Sequence, residues 1–248
     1  LLTRACRRER RMLFSSLTFI FLFLPVVLAV YYLAPLKIRN LLLLLASLIF
    51  YAWGEPVYVV LMILSILLNY CCGREIAANA EDERKAHRGM IFTVVVNLAL
   101  LFFFKYYGFF LELVNSVTSA ELTYRELALP VGISFYTFQG ISYVVDVYRG
   151  KAKAQRSLLN FALYIALFPQ LIAGPIVRYE DIEPQLAQRK VSARKLGQGA
   201  MLFLIGLAKK AVLADTFKTV FEEISAISAS NLSVPMAWIG CITYAFEI

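Results

Sequence analysis

The sequence predicts an all-α fold, a polytopic membrane protein whose helices include one re-entrant helical hairpin. Hydrophobic residues make up 60% of the 248-residue chain and charged residues only 17%, and the mean hydropathy is +0.68. Soluble domains are roughly 45–50% apolar and about 25% charged. The charged residues fall in clusters between long apolar runs. This pattern is typical of helices that cross a bilayer and are joined by polar loops.

The net charge of +8 has two possible sources. It could mark a nucleic-acid-binding surface, or it could reflect the excess of Lys and Arg in the cytoplasmic loops of membrane proteins. Because the basic residues cluster between apolar runs, we favour the second source and expect no nucleic-acid partner. The four cysteines show neither metal-binding spacing nor a disulfide framework.

The first apolar segments are assigned by length, since about 20 apolar residues span a bilayer. Residues 13–34 form a span with a proline kink. Residues 41–53 and 57–72 flank a Gly-Glu-Pro turn, so we predict a helical hairpin of two short helices. Residues 74–88 are charged and form a loop or a helix that extends into water. Residues 89–111 form the next span.

The later segments are less regular, and one of them is broken. Residues 112–128 form a mildly acidic loop, and residues 129–148 form a span. Residues 158–176 form a broken apolar segment, and the last two apolar segments are residues 196–217 and 234–248. The broken segment contains Pro169, Gly174 and Pro175. Hydrocarbon tolerates interrupted helices only where the backbone is buried in protein or lines a cavity. We therefore expect this segment to lie inside the protein.

Loop charge predicts the orientation of the chain and the path of the broken segment. The basic segments at residues 37–39, 74–88 and 149–156 alternate with less basic ones, which places them inside. If residues 158–176 crossed the bilayer, the basic residues 178–195 would lie outside, against this rule. We therefore predict that residues 158–176 are re-entrant, entering and leaving on the cytoplasmic side, and that they line a cavity open to the cytoplasm.

Two apolar runs that are broken by Pro and Gly, residues 129–140 and 168–176, are expected to line this cavity, and we call them the broken runs. The alternative for any single polar side chain is a hydrogen bond between helices. A lysine pair after about thirteen apolar residues is a third candidate, because charge at membrane depth is costly. There are two alternatives to a cavity-lining role for this lysine pair. The lysine side chains could extend to the membrane surface, or the helix could lie flat at the interface, and Asp215 could neutralise one lysine. The predicted cavity-lining residues are Tyr136, Gln139, Pro169, Gln170, Gly174, Pro175, Lys209 and Lys210.

The chain has one histidine, His87, within a highly charged stretch. We interpret it as a solvated loop residue. No second histidine is available for a metal site, and no Ser-His-Asp arrangement can be assembled around it. We therefore predict neither a metal site nor a catalytic residue in this sequence.

Six motifs occur in the order in which they occur in a known family, at residues 12–16, 50–54, 129–140, 146–150, 168–176 and 206–215. By these motifs, which cover nearly all of residues 12–248, the chain resembles the membrane-bound O-acyltransferase family. The resemblance is greatest to its bacterial alginate O-acetyltransferase branch. That branch also resembles the D-alanyl transfer protein of teichoic acid modification.

The resemblance implies a multi-pass protein of the bacterial inner membrane that moves an acyl group, usually acetyl, across the bilayer. The donor would be acetyl-CoA or an acyl carrier in the cytoplasm, acting as a substrate, and no cofactor would be bound. The acceptor would be an exported polysaccharide such as alginate, reached through periplasmic acetyltransferase partner proteins.

In that family the general base is a histidine in a later helix, after a Phe-Asp-Phe-Ser-Gly-Tyr-type stretch. His87 does not match it in motif or context. We therefore expect residues 12–248 to be the N-terminal part of one membrane-embedded domain, a fragment that is inactive alone. Residues 1–11 are expected to be an upstream extension outside the fold.

Two other functions remain open at this point. Broken helices also mark the substrate sites of transporters, so the chain could be a transporter or channel subunit. It could also be a non-catalytic membrane scaffold of a polysaccharide export complex. A Phe-Asp-Phe-Ser-Gly-Tyr stretch followed by a Trp-His pair in the longer gene product would favour the enzyme over both alternatives.

Overall fold

The structure, a computed structural model, describes residues 14–118, 129–171, 176–187, 189, 192–228 and 231–248. These residues form helices and connecting segments without a strand, which confirms the predicted all-α class. They group into two compact units. The first unit lies within residues 23–189, and the second combines the described residues of 13–22 and 190–248. Residues 1–11, predicted to be an extension, lie outside the described part of the chain.

The described residues form eleven helices, which we number in chain order. They are α1 (Phe19–Leu33, π-helical over Phe19–Phe23), α2 (Arg39–Gly54), α3 (Tyr58–Ala78), α4 (Glu83–Thr118), α5 (Ile133–Tyr148), α6 (Leu158–Ala166), α7 (Phe168–Leu171), α8 (Tyr179–Ala187), α9 (Ala193–Ala208), α10 (Asp215–Ser225) and α11 (Val234–Glu247). A 3₁₀ turn, Leu36–Ile38, precedes α2, and a π-helical segment, Lys209–Ala214, joins α9 to α10.

Three described segments are long and apolar enough to cross a membrane, namely Leu36–Gly54, Tyr58–Ala78 and Glu83–Thr118. The two hairpin helices were predicted to be too short, since the segment Leu36–Gly54 has 19 residues and α3 has 21. The charged stretch 74–88 is largely helical, because its Ala, Glu, Lys and Arg residues favour helix and extend α3 and α4 beyond their apolar parts. Helix α4 also includes the first residues of the predicted loop 112–128.

Helices α3, α4 and α5 meet at a buried polar junction. Asn69 of α3 and Asn97 of α4 exchange hydrogen bonds through their side-chain amides, at 3.2 and 3.0 Å. Each amide also donates to the carbonyl four residues earlier in its own helix, at 2.8 Å. Gly140 of α5 lies against Asn69, and a Cβ at this position would come within 2.6 Å of that amide. The glycine therefore lets α5 approach the asparagine pair closely.

Helix α2 packs chiefly against α6, whereas α3 packs against α4 and α5, so the predicted hairpin helices have different main partners. Ser47 of α2 donates a hydrogen bond to the Leu43 carbonyl at 2.7 Å and accepts one from the Phe168 N–H at 3.3 Å. The rings of Phe23, Phe50 and Phe168 form a cluster with centroid separations of 5.5–5.6 Å. These contacts hold the α6–α7 segment against α2.

The chain enters and leaves the α6–α7 segment at the same end of the first unit. Before the segment, the Gln155 side chain donates to the Tyr179 hydroxyl, which follows the segment, at 2.7 Å. The Asn40 amide of α2 donates both to the Asn160 side chain at 2.9 Å and to the Leu186 carbonyl at 3.0 Å. This is the geometry that a re-entrant hairpin requires, and it agrees with the predicted fold class.

Cysteine labelling tests this path in the membrane. In a background without native cysteines, we expect Lys153→Cys and Gln185→Cys to react with an impermeant maleimide from the same side. Val57→Cys, in the turn between α2 and α3, should react from the opposite side and serves as the control. Reaction of positions 153 and 185 from opposite sides would contradict the re-entrant path.

The second unit contains a helical hairpin formed by α10 and α11. The rings of Phe217 and Phe246 stack at 5.2 Å, and those of Phe221 and Tyr244 lie 4.9 Å apart. Gly240 brings the backbone of α11 close to Ile224, whose side chain would be 3.1 Å from an added Cβ. The apolar face of α10 is thus covered by α11, which leaves the charged side chains of α10 exposed.

Candidate functional site

The two broken runs contact each other directly within the first unit. Gly132 caps the N-terminus of α5 in the left-handed conformation, with φ of +75°. A Cβ at this position would lie 2.6 Å from the backbone carbonyl oxygen of Leu171, at the end of α7. The Tyr51 hydroxyl of α2 donates to the carbonyl of Val131 at 2.9 Å and fixes the same turn. Sequence reasoning grouped the two runs but gave no signal for this contact.

The start of α5 differs from the predicted span because a turn precedes the helix. The Ile133 N–H donates to the Pro130 carbonyl at 3.2 Å, which closes the turn around Gly132. Proline at position 130 restricts the preceding backbone to extended conformations. Helix α5 therefore begins at Ile133 rather than at residue 129.

The break between α6 and α7 follows from Pro169. Proline lacks an N–H and its ring collides with the carbonyl four residues earlier, so a straight helix cannot continue through it. The chain turns at Leu167, whose ψ of 114° takes the backbone out of the helical conformation. The Gln170 side-chain amide then donates to the Tyr164 carbonyl of α6, a group that the break leaves available. Gln170 thus forms a hydrogen bond between helices, which is its alternative interpretation, and this bond stabilises the break.

Helix α5 buries polar groups that lack partners. The side chains of Tyr136 and Gln139 are 0% and 1% exposed, and Thr137 is fully buried. The Tyr136 hydroxyl, the Thr137 hydroxyl and Oε1 of Gln139 have no hydrogen-bond partner among the described residues. Leaving such a group unpaired costs about 1–3 kcal/mol. Native proteins accept this cost rarely, so these atoms mark a candidate site for water, substrate or another protein segment.

Asp146, near the C-terminal end of α5, belongs to the same set. It is 8% exposed, and its Oδ2 atom has no hydrogen-bond partner in the described part of the chain. Its backbone carbonyl accepts the N–H groups of Lys151 and Ala152 at 2.9 and 3.2 Å, which turns the chain away from the helix. Asp146 was absent from the predicted site. An acidic residue in an otherwise uncharged helix was the signal that could have identified it.

The predicted site residues separate into three groups. Tyr136 and Gln139 are buried in α5, and Pro169 and Gln170 lie in α7 of the same unit. Gly174 and Pro175 lie outside the described residues.

Lys209 and Lys210 form the third group and belong to the second unit, at the start of its π-helical segment. Both are exposed, and Lys210 forms an ion pair with Asp215, as the sequence suggested. A role for these eight residues in a substrate cavity stays a prediction.

His87 lies on α4 rather than in a loop, and this part of the prediction was wrong. It is exposed, and its Nδ1 atom lies 3.2 Å from the Tyr148 hydroxyl. Within the described ranges, no three His, Cys, Asp or Glu side chains are placed to hold a metal ion.

Known proteins of three kinds are similar to this chain. A probable alginate O-acetylase of Pseudomonas aeruginosa is 39% identical over 241 residues, which cover 96% of this chain and 46% of the relative. A peptidoglycan O-acetyltransferase of Helicobacter pylori is 32% identical over 269 residues, covering 96% of this chain and 51% of the relative. A teichoic acid D-alanyltransferase of Bacillus subtilis is 27% identical over 144 residues, which cover 56% of this chain and 35% of the relative.

The chain spans about half the length of the alginate and peptidoglycan relatives. No family model matches it, and no solved structure matches it. The similarity to the acetylases extends over nearly the whole chain, so it includes both broken runs and α5.

Proposed function

We propose that this chain is the N-terminal part of a membrane-bound O-acyltransferase, in the branch of the alginate O-acetylases, and that the full-length enzyme acylates a polysaccharide. The observation that carries this proposal is the 39% identity to an alginate O-acetylase over 96% of the chain. Acetyl is the proposed transferred group, which the names of the acetylating relatives support.

The chemistry of acyl transfer indicates which groups this chain supplies and which the rest of the full-length protein supplies. A base must deprotonate the acceptor hydroxyl, and histidine is the usual choice near neutral pH. His87 is exposed among charged residues at the start of α4, so we assign it no catalytic role. The base is then supplied by the rest of the full-length protein. This chain contributes the packed helices and the buried oxygen atoms of Tyr136, Gln139 and Asp146.

The donor is proposed to be acetyl-CoA or an acyl carrier that approaches from the cytoplasm, and the acceptor an exported polysaccharide such as alginate. Periplasmic acetyltransferase proteins would complete the transfer. The protein would then be a multi-pass component of the bacterial inner membrane, as the three long apolar helices support.

A transporter or channel subunit is the second candidate. The break at Leu167 and the unpartnered oxygen atoms of α5 favour it, because transporters bind substrates at interrupted helices near the bilayer midplane. The two candidates differ in product, since one modifies the polymer and the other moves a solute.

Genetic complementation distinguishes the acyltransferase from the transporter. We expect the full-length gene product to restore acetyl esters to alginate in a Pseudomonas aeruginosa strain that lacks its own alginate O-acetylase, as measured by proton NMR of the purified polymer. His87→Ala should retain acetylation within about twofold, because an exposed side chain away from the reacting groups costs little.

Polymer without acetyl esters, despite normal amounts of the protein in the membrane, would overturn the assignment to alginate. Loss of acetylation in His87→Ala, with the protein still present, would overturn the assignment of the base to the rest of the protein. A change in polymer export with unchanged acetylation would favour the transporter.

A further inference from the structure

The segment that joins α5 to α6, residues 149–156, carries four cations and no acidic residue. Arg149, Lys151, Lys153 and Arg156 are all exposed. We call this segment the cationic loop. Its charge alone agrees with the general bias of cytoplasmic loops, which requires positive residues but no defined structure. The structure adds that the loop has a fixed shape and a defined depth.

Hydrogen bonds to the protein fix the backbone of the cationic loop at both ends. At its start, the carbonyl of Asp146 accepts two N–H groups of the loop, as described above. At its end, the Gln155 N–H donates to the Tyr143 hydroxyl at 2.9 Å, and the Gln155 side chain accepts from the Ser157 N–H at 3.0 Å. The Tyr70 hydroxyl donates to the Arg156 carbonyl at 2.7 Å. These bonds use backbone groups and Gln155, which leaves the cationic side chains free to face solvent.

The bond from Tyr70 also sets the depth of the loop. Tyr70 lies near the end of the apolar part of α3, and Arg74, one turn later, is the first charged residue of that helix. The Arg74 guanidinium lies 6.0 Å from the centre of the Tyr70 ring and donates to its hydroxyl at 3.4 Å. Tyrosine is enriched where helices pass from hydrocarbon to the headgroup region. We therefore expect the cationic loop, which Tyr70 links to Arg74, to lie at the level of the lipid headgroups.

The neighbouring charged stretch offers a natural comparison. Residues 81–88 contain three acidic and three basic side chains besides His87. Lys85 and Asp82 form an ion pair at 3.0 Å. The hydrogen bonds from Lys85 lower the pKa of the Asp82 carboxyl, so it stays ionised and the local charges balance. The three basic and three acidic side chains of residues 81–88 give no net charge. The cationic loop, in contrast, has four basic side chains and no acidic side chain to neutralise them.

We propose that the cationic loop, together with Arg74, is a binding surface for the phosphate groups of anionic phospholipids at the membrane surface. The proposal does not depend on the proposed function. A fixed array of cations at headgroup depth suits phosphodiester groups, which present one negative charge each in a plane. Each basic residue near an anionic surface strengthens binding by about fivefold. Three such residues together correspond to roughly a hundredfold.

Native mass spectrometry of the purified 248-residue chain in neutral detergent tests the proposal. Phosphatidylglycerol and phosphatidylcholine are titrated separately at low ionic strength. We expect phosphatidylglycerol to bind more tightly than phosphatidylcholine. The variant Lys151→Gln/Lys153→Gln/Arg156→Gln should weaken phosphatidylglycerol roughly a hundredfold, as the summed effect of three cations, and leave phosphatidylcholine unchanged.

Two further variants control for charge and folding. Arg84→Gln/Lys85→Gln/Arg88→Gln removes the same number of cations from the balanced stretch, and should change the affinity for phosphatidylglycerol less than about threefold, because no unbalanced surface is lost. Lys151→Arg/Lys153→Arg/Arg156→Lys preserves the charge and should keep binding intact. A triple-Gln loop variant that elutes and melts like the parent excludes misfolding.

Three results would overturn the proposal. The first is equal affinity of the parent chain for phosphatidylglycerol and phosphatidylcholine. The second is an equal loss of affinity in both triple-Gln variants, which would show a response to net charge alone. The third is displacement of phosphatidylglycerol by an equimolar amount of soluble glycerol phosphate, which would assign the surface to a free phosphate compound rather than to a lipid.

Discussion

Replacing Gly132 with alanine should lower the free energy of unfolding by about 2–5 kcal/mol. A side chain at φ of +75° costs about 1–2 kcal/mol. The added Cβ would also lie 2.6 Å from the Leu171 carbonyl oxygen, a backbone atom that cannot rotate away. Forcing α5 and α7 apart adds a further cost of about 1–3 kcal/mol, typical of overpacking. Equilibrium unfolding of the chain in detergent, followed by helical circular dichroism, measures the change.

Gly150→Ala is the matched control for this prediction. Gly150 has nearly the same backbone conformation, with φ of +69°, but an added Cβ would meet nothing within 4 Å. This variant should show only the conformational cost of about 1–2 kcal/mol. Equal losses in the two variants would show that the contact between the broken runs contributes nothing to stability. In the full-length protein, Gly132→Ala should also reduce acyl transfer, whereas Gly150→Ala should leave it nearly unchanged.

Composition and apolar run length were enough to predict the all-α class and most helices, because the bilayer demands long apolar segments with internally satisfied backbones. The errors lie at helix ends. Helix α3 continues past Cys72 and α4 begins at Glu83, since charged residues with good helix propensity can leave the membrane without ending the helix. Hydropathy marks where a helix leaves the membrane. It does not show where the helix ends if the helix continues into water.

The prediction of a re-entrant path rests on two independent signals, the loop charge and the proline at position 169, and the bond between Gln155 and Tyr179 agrees with it. The pairing of Gly132 with Leu171 could not be predicted, since it depends on which helices are neighbours, and a single sequence contains no such information. Asp146 was missed for a different reason. In the sequence, Asp146 is only one residue of a motif. An isolated carboxylate becomes significant when it is buried, and burial is a property of the folded chain.

Tyr136→Phe should separate stability from function in the full-length protein. The Tyr136 hydroxyl is fully buried, and no described residue hydrogen-bonds to it, so its removal should leave the free energy of unfolding unchanged or raise it by up to about 1 kcal/mol. If the hydroxyl binds substrate or an ordered water at the proposed site, its loss should reduce acyl transfer about tenfold, the value of one hydrogen bond to a charged or reacting group. Acetyl esters formed per enzyme over time give the rate.

Tyr51→Phe provides the comparison, because Tyr51 is also buried but its hydroxyl donates to the Val131 carbonyl. This substitution removes a bond that holds the turn before α5, and should cost about 1 kcal/mol of stability. If Tyr136→Phe loses as much stability as Tyr51→Phe, the Tyr136 hydroxyl has a structural partner within the full-length protein and is not part of a substrate site. If neither stability nor transfer changes, the unpartnered oxygen atoms of α5 are a tolerated packing cost. The assignment of the site to this helix then fails, while the proposed family, which rests on sequence similarity, is unaffected.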